Sequence, residues 1–349
     1  MKNHPLAQRL LSWYQNQKRD LPWRWSKEPY PVWISEVILQ QTRVDQGVPY
    51  FLAFMENFPT VNDLANAREE QVLKIWEGLG YYSRARNLHA GAKYISEECQ
   101  GVFPSSYESL LKVKGVGPYT AAAISSICFG KPNPVLDGNV FRVASRQFGI
   151  FEDIAKPASR KVFISLLEKI IASDNPGDFN QSIMDLGATV CTPQNPDCFN
   201  CPISVSCFAL KHKKQSELPV KKKKIKVKDR YFHYMVLEHA GHFAVKKRDS
   251  GDVWQGLYDF FLEELPDKEC SPSFLKPNKK QITYHSSRAY RHILSHQRIH
   301  AVFHHLETVS EKIFKKIAAD HQLDTFSWTD IVALPKPRLI VNYLNEYDF

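Results

Sequence analysis

The chain has 349 residues, of which 43% are hydrophobic and 24% are charged, and its formal net charge is +9. This length and composition predict a globular protein of about two domains, each able to bury its own core. There is no run of about 18 apolar residues and no signal-peptide pattern at the N-terminus, which excludes a membrane-spanning protein and predicts a cytoplasmic one.

Most of the positive charge lies in one segment. Residues 211–230 contain ten lysines and arginines but only two acidic residues, and the run 221–224 is entirely lysine. Such a segment attracts phosphates, and it is also typical of a solvated linker, so the two interpretations are compatible. We therefore predict a basic linker that attracts phosphate groups.

Two helices are predicted near the N-terminus, with the run L-P-W-R-W and several prolines between them. The second helix, W-I-S-E-V-I-L-Q-Q-T-R-V, has an apolar face at i, i+3 and i+4 spacing. Glu36 lies within this run, with no Lys or Arg after it until Arg43. Its carboxyl group is either at the exposed edge of the face or partly desolvated, and desolvation would raise its pKa.

Further helices are predicted at about 60–78, 84–99 and 105–113 from the apolar spacing. The glycine-broken loop E-G-L-G-Y-Y-S-R-A-R, which contains Tyr81, lies between the first two. Tyrosines and arginines on a loop are typical of base stacking and phosphate contacts. They are equally typical of ordinary corners between helices, and both interpretations stay open here.

The run K-G-V-G-P-Y-T-A-A-A-I predicts a hairpin between two helices, with Gly115, Val116 and Gly117 at its tip. Backbone N–H groups exposed at a helix N-terminus bind a phosphate oxygen without any side-chain charge. The hairpin is therefore a candidate clamp on a DNA backbone. The alternative is an ordinary packing corner.

An isolated carboxylate, Asp137, follows a proline-broken turn after the hairpin helix. It either caps the turn or faces a sugar from which a base is removed. Helices at about 157–172 and 178–190 follow. In the second of these, Gln181 and Asp185 share a face that differs from the apolar stripe.

Four of the seven cysteines fall within 17 residues, spaced C-x6-C-x2-C-x5-C: Cys191, Cys198, Cys201 and Cys207. Seven cysteines in an intracellular chain argue against a disulfide framework. Four thiolates in so short a loop can bind one zinc ion or one 4Fe-4S cluster. Zinc ribbons usually pair two C-x2-C knuckles and this loop has only one, so the spacing favours the cluster.

The periodicity changes beyond the linker. Y-F-H-Y-M-V-L-E, H-F-A-V-K-K-R and R-I-H-A-V-F-H-H-L-E predict strands, and residues 311–321 predict a helix. The C-terminal part is therefore a mixed α and β domain.

Several motifs now occur together in one order. S-E-V-I-L-Q-Q-T-R-V, E-G-L-G-Y-Y-S-R-A-R-N-L, K-G-V-G-P-Y-T-A-A-A-I, V-L-D-G-N-V-F-R-V and the four cysteines resemble the helix-hairpin-helix DNA glycosylases, and among them the MutY-type adenine DNA glycosylases. The resemblance runs from about Leu6 to Cys207 and continues more weakly beyond. It implies an all-α glycosylase domain over residues 1–210 that ends in an iron–sulfur loop, the basic linker 211–230, and a Nudix-like α/β domain over 231–349.

The resemblance also implies a substrate, which is adenine opposite 8-oxoguanine or guanine in double-stranded DNA, and one 4Fe-4S cluster per chain. We expect the protein to be a monomer whose basic linker can contact DNA and replication or repair proteins. Glu36 would act as general acid on the flipped adenine and then as base towards water. Asp137 would stabilise or covalently trap an oxocarbenium-like sugar. Tyr119 and Asn139 would support that pair.

The resemblance implies that further residues contact the substrate. Gln41 and Tyr81 would fill or wedge the opened duplex, and Arg24 and Gln181 would contact the edges of adenine. The related lyase-type enzymes carry a Schiff-base lysine two residues after the second hairpin glycine, where this chain has Tyr119. We therefore expect hydrolysis without strand cleavage. The alternatives are a glycosylase/lyase for oxidised pyrimidines and a non-catalytic, zinc-bound DNA-binding protein.

In the second domain, D-V-W-Q-G-L-Y-D-F-F matches a motif of the same family, but the sequence has no Nudix box of the R-E-x-x-E-E kind. We expect this domain to bind rather than hydrolyse. The family's loop for 8-oxoguanine commonly has Phe-Ser-His, and this chain has Leu294, Ser295 and His296. Leu294 can fill a step in the base stack, and Ser295 can hydrogen-bond the oxidised base.

Overall fold

The computed structural model describes residues 4–222, 227–268, 270–275 and 280–346. The chain divides into two compact units, one formed by Met1–Asn66 with Asn87–Lys223 and the other by Ala67–Arg86 with Lys224–Phe349. Of the basic run 221–224, the last two lysines lie outside the described residues. Within the described part of the chain, no helix has the length and apolar character to cross a membrane.

The first unit is built from helices. Their bounds are α1 Pro5–Gln17, α2 Pro29–Ile38, α3 Val44–Asn57, α4 Val61–Asn66, α6 Ser83–Glu98 (whose first residues belong to the second unit), α7 Tyr107–Leu110, α8 Pro118–Phe129, α9 Gly138–Phe148, α10 Pro157–Glu168, α11 Pro176–Thr189 and α12 Phe208–His212. Five of them begin with proline, which suits a first helical turn because the N–H it lacks would have no partner there.

Three predicted helix bounds were wrong. The helix with Glu36 begins earlier, at Pro29, and ends at Ile38 rather than continuing to Val44, because Gln41 adopts a left-handed backbone with φ of 61°. The region predicted as 60–78 forms two short helices, α4 and α5 Glu69–Ile75. The helix predicted at 105–113 has only one turn, Tyr107–Leu110, which Ser106 caps by accepting a hydrogen bond from the Ser109 N–H group at 3.1 Å.

The core of the first unit places α9 against α11. Leu10, Phe141, Phe163, Phe179 and Leu186 belong to one buried cluster. The two helices approach so closely that a Cβ atom added at Gly187 would lie 2.6 Å from the Cβ atom of Asn139. Only glycine fits there, and this contact holds Asn139 at a defined place at the start of α9.

The second unit contains a six-stranded mixed sheet in the order β4-β5-β1-β3-β2-β6. Its elements are α5, β1 Lys228–His239, β2 His242–Lys247, β3 Tyr258–Leu265, β4 Ile282–Ile293, β5 Gln297–Thr308, α13 Glu311–Asp320, β6 Asp324–Ser327, α14 Trp328–Ala333 and α15 Arg338–Asn345. Strands β1 and β5 run parallel, and the other pairs are antiparallel.

Helices cover both faces of this sheet. On one face, Met235 and Leu306 pack with Phe314 of α13. On the other face, the rings of Phe303 and Tyr343 of α15 stack with centroids 4.2 Å apart. The predicted mixed α and β domain is confirmed, and its helix–sheet–helix layering follows from the alternation of side chains along each strand.

Candidate active site

A cavity of about 580 Å³ opens in the first unit, within the size range of small-molecule sites. Its wall brings together six residues that the sequence analysis singled out, from positions up to 157 residues apart: Arg24, Glu36, Tyr119, Asp137, Asn139 and Gln181. Helices α1, α2, α8, α9 and α11 contribute side chains to this wall. We call this space the adenine cavity, after the base that the sequence resemblance implies for its residues.

Glu36 reaches the adenine cavity from α2. Ser35 lines the same cavity, but its hydroxyl donates to the Val32 carbonyl at 2.7 Å within α2. Burial raises the pKa of Glu36 to about 7, a hydrogen bond from Tyr119 lowers it, and the nearby Asp137 raises it further. The Glu36 residue is half-buried and its carboxyl group is partly desolvated, so it does not lie at an exposed helix edge.

Asp137 does both of the things that the sequence left open, because it caps a helix and also lines the cavity. It is the N-cap of α9, where one carboxylate oxygen accepts the Val140 N–H group at 2.7 Å. The other oxygen accepts the Asn139 amide at 2.9 Å. Burial raises the pKa of Asp137, and these two hydrogen bonds lower it. The positive end of the α9 dipole further favours the anion.

Tyr119 and Asn139 surround this pair of carboxyl groups. Tyr119 lies in the first turn of α8, with its hydroxyl 3.2 Å from Met184 Sδ, and burial raises the pKa of that hydroxyl well above its usual range. The side-chain amide oxygen of Asn139, Oδ1, accepts a hydrogen bond from Arg142 Nη2 at 2.8 Å. Because both ends of its amide group are bound, Asn139 has a fixed orientation beside Asp137.

Arg24 and Gln181 also line the cavity, and here the structure adds a partner that sequence reasoning missed. Both terminal nitrogens of Arg24 donate to Asp185, at 2.8 and 2.9 Å. Arg19 Nε donates to the same carboxylate at 2.9 Å. The sequence placed Asp185 on one helix face with Gln181. It offered no sign of the two arginines, which lie 161 and 166 residues away.

Trp23 also lines the cavity and was not assigned a role from the sequence. It is buried, and its ring meets that of Phe51 edge-on at 5.4 Å. The run L-P-W-R-W was a usable signal, because tryptophans around a short proline turn seldom lack a packing or stacking partner.

The hairpin has the expected geometry at its tip. Gly115 has a φ of 82°, and a Cβ atom there would lie 2.9 Å from Asn87 Cβ, so glycine is required. Gly117 is the N-cap of α8 and is exposed. The N–H group of Val116 donates to the Val113 carbonyl at 3.0 Å, so this group is used within the turn.

Gln41 in the first unit and Tyr81 in the second both have positive φ, 61° and 49°. Such a backbone is uncommon for residues other than glycine and is often found at functional sites. Tyr81 is exposed. Each of these side chains is therefore presented from a locally strained turn.

The four cysteines line one small cavity together with Arg146. Arg146 Nη1 lies 3.4 Å from Cys191 Sγ, and Arg142 Nε donates to the Cys191 carbonyl at 2.7 Å. No group of three or more His, Cys, Asp or Glu side chains among the described residues is placed to hold a single metal ion. The donor set, four thiols facing one cavity, fits a metal–sulfur group.

In the second unit, Leu294, Ser295 and His296 form the turn between β4 and β5, where the Leu294 N–H group donates to the Gln297 carbonyl at 2.8 Å. The hydroxyl groups of Ser295 and Tyr81 are hydrogen-bonded to each other. These side chains line a pocket of about 400 Å³ together with Trp254 and His292. We call it the turn pocket.

Comparison with known proteins identifies both halves of the chain. The family model described as "HhH-GPD superfamily base excision DNA repair protein" matches residues 34–169. A second family model, described as "NUDIX domain", matches residues 233–346. These matches agree with the helical first unit and the mixed sheet of the second.

Relatives and solved structures extend this similarity. An adenine DNA glycosylase of Buchnera aphidicola subsp. Schizaphis graminum is 34% identical over 345 residues, covering 97% of this chain and 97% of that protein. The adenine DNA glycosylase of Homo sapiens is 45% identical over 218 residues, covering 60% of this chain and 40% of that protein. The structure of a thermostable thymine-DNA glycosylase superposes with a TM-score of 0.55 at 26% identity, covering 59% of this chain and 95% of the other.

Proposed function

We propose that this chain, which belongs to the adenine DNA glycosylase family, excises adenine from DNA by hydrolysing its N-glycosidic bond and leaves an abasic site. The observation that carries the proposal is the meeting of Glu36 and Asp137 in one cavity. A glycosidic bond breaks through an oxocarbenium-like state, which requires a protonated leaving group and a nearby anion. The two carboxyl groups supply one of each.

Glu36 is the general acid. With a pKa of about 7, a large fraction of the enzyme carries the proton at neutral pH. Adenine is a poor anionic leaving group, so proton donation from Glu36 lowers the barrier to its departure. After the base leaves, the same carboxylate accepts a proton from the attacking water.

Asp137 is the anion that faces the developing positive charge on the sugar. Its hydrogen bonds from Val140 and Asn139 favour the ionised form, in the same cavity where Glu36 keeps its proton. Two carboxyl groups with different environments can thus perform two roles at one pH. Tyr119 and Asn139 keep the pair in position.

Adenine must leave the base stack to reach these groups, which costs a few kcal/mol. Arg24 and Gln181 contact its edges in the cavity. The hairpin at Gly115–Gly117 binds the DNA backbone through N–H groups at its tip other than that of Val116, which the turn itself uses. Gln41 and Tyr81 enter the space that the flipped base vacates, and their turn conformations support such a wedge.

The second unit selects the opposite base, 8-oxoguanine or guanine. Ser295, held by the Tyr81 hydroxyl, hydrogen-bonds the oxidised base, Leu294 contacts the base stack, and His296 completes the loop. The sequence has no Nudix box, so this domain binds without hydrolysing. In domain terms, residues 1–210 form the glycosylase domain, 211–230 the basic linker and 231–349 the recognition domain.

The four cysteines would hold one 4Fe-4S cluster, and their loop would then be cross-linked. Arg146 and Arg142 join this loop to α9. This loop leads into α12 and the basic linker, and the ordered loop presents Lys211, Lys213 and Lys214 to DNA phosphates.

The reaction stops at the abasic site because Tyr119 occupies the position of the lyase lysine and cannot form a Schiff base. The test is excision from duplexes that contain adenine opposite 8-oxoguanine, analysed with and without alkali. We expect free adenine in both samples and strand breaks only after alkali. Strand cleavage without alkali, or the absence of free adenine, would contradict the proposed function.

A further inference from the structure

We infer that Asp185 is a positioning residue of the adenine cavity, which fixes Arg19 and Arg24 against the cavity wall and offsets their positive charge. The inference rests on the proposed excision of adenine, since it concerns the same cavity. Asp185 does not itself line the cavity and acts through the two arginines, which do.

The geometry around Asp185 is that of a fully bound carboxylate. The side chain lies on α11 and has no exposed surface. One oxygen accepts from Arg19 Nε and Arg24 Nη2, both at 2.9 Å, and the other accepts from Arg24 Nη1 at 2.8 Å. A buried carboxylate requires this many donors, because an unpaired charge in the interior is strongly destabilising.

The same contacts determine where the arginines point. Arg24 donates through both terminal nitrogens, and Nη1 also donates to the Arg19 carbonyl at 3.2 Å. Two parallel hydrogen bonds fix the plane of a guanidinium group as well as its distance. The Arg24 side chain is 14% exposed and that of Arg19 is 30% exposed, and both residues line the cavity.

Asp185 also sets the net charge of this wall. Two guanidinium groups and one carboxylate carry a net charge of about +1, and without Asp185 the wall would carry two uncompensated cations. Tyr119, Asp137 and Arg24 are the groups that act on Glu36. The Tyr119 hydrogen bond and the positive charge of Arg24 both lower its pKa, and Asp137 raises it. Removal of the Asp185 charge strengthens the effect of Arg24, because the attraction of Arg24 for a neighbouring anion is then no longer offset.

Other charged groups border this region, and none of them replaces Asp185. Lys18, Asp20, Lys27 and Asp178 line the cavity, and Asp178 lies about two turns before Asp185 on α11. Neither acidic residue has a hydrogen bond to Arg19 or Arg24 among the contacts of the described residues, whereas Asp185 binds both. The charge of Asp185 is therefore the one matched to the two arginines.

The sign of the effect follows from the role of Glu36. A general acid must be protonated, so the excision rate falls as the pH rises through its pKa. Neutralising Asp185 makes the cavity more positive, which favours ionised Glu36 and moves this decline to lower pH. A purely structural loss would instead lower the rate by the same factor at every pH.

The test is the pH dependence of single-turnover excision in the full-length chain with its cluster, comparing the wild type with Asp185→Asn. We expect the basic decline to shift down by about one pH unit, so that the variant loses about tenfold more activity on the alkaline side than on the acidic side. The matched control is Asp259→Asn, which removes another buried aspartate that pairs with an arginine, Arg248 at 2.6 Å, in the second unit. The control should leave the pH of the decline unchanged.

A second variant keeps the inference testable if Asp185→Asn does not fold. Arg19→Gln changes a partly exposed side chain and leaves Asp185 paired with Arg24 alone. The cavity then becomes less positive, so the decline should move to higher pH, opposite to the effect of Asp185→Asn. If the pH of the decline does not change in either variant, or changes in the same direction in both, the inference is overturned. Excision by the wild type would still support the proposed function in that case. An inactive wild type would overturn both.

Discussion

The adenine cavity of the first unit and the turn pocket of the second differ in how they expose their polar groups. The cavity takes its polar groups from regular helices and buries them, which raises the pKa of Glu36 to about 7 and also raises that of Asp137. The turn pocket takes its groups from a β-turn and a loop, and leaves both Ser295 and Tyr81 exposed.

This difference matches two tasks. A carboxyl group donates a proton at neutral pH when its pKa is raised by removal from water, and the packed wall of this cavity provides that environment. Recognition of a base in a duplex requires donors and acceptors that remain accessible. We therefore expect substitutions in the cavity to change rates by orders of magnitude and substitutions in the turn pocket to change preference by small factors.

The largest effect is expected for Asp137→Asn. Asparagine is as good an N-cap as aspartate, so α9 should keep its first hydrogen bond and the protein should fold. The anion that faces the sugar is lost, and excision should fall about a thousandfold or more. Single-turnover excision and equilibrium binding to the same duplex measure the two properties separately. If the variant excised adenine at the wild-type rate, Asp137 would have no role in the mechanism.

The next effect is the pH dependence that Glu36 confers. Since the pKa of Glu36 is raised to about 7, the wild-type rate should decline about tenfold per unit as the pH rises above that value. Glu36→Gln should lower the rate about a hundredfold or more and abolish this decline, because an amide does not titrate. A rate that increases with pH through this range in the wild type would show that the ionised form is the active one.

The smallest effect is expected in the turn pocket. Ser295→Ala removes a hydroxyl group that is exposed and held by Tyr81, so it should cost about 1 kcal/mol of discrimination, or about fivefold, between 8-oxoguanine and guanine opposite adenine. Competition between the two duplexes measures this preference. Ser287→Ala, the same change at an exposed position of β4, serves as the control. Equal preferences in the two variants would count against the recognition loop.

Local signals in the sequence predicted many elements well. The apolar spacing indicated most helices of the first unit, and the glycines of the hairpin tip indicated the position of the turn. The change to period-two alternation marked the second domain as mixed α and β, which the sheet confirms. These signals are reliable because each arises from a few neighbouring residues, and the structure of such a short stretch is decided largely by its own backbone.

Other features were predicted wrongly or had no signal in the local sequence. The helix that contains Glu36 ends six residues before its predicted end, because Gln41 adopts a left-handed backbone. No glycine in this stretch indicated such a backbone. The partnership of Asp185 with Arg19 and Arg24 had no local signal, because the partners come from opposite ends of the first unit. The sequence showed that Asp185 shares a helix face with Gln181, but it did not show which residues that face contacts.

The sequence by itself determined the family of the chain, through motifs that include Glu36, Asp137 and the four cysteines. It also determined that no lysine stands where Tyr119 is. Only the tertiary structure decided that Glu36 is partly desolvated, that Asp137 is both a cap and a cavity residue, and that Asp185 binds two arginines. The physical reason is that desolvation and ion pairing depend on which distant residues surround a group, and packing alone brings those residues together.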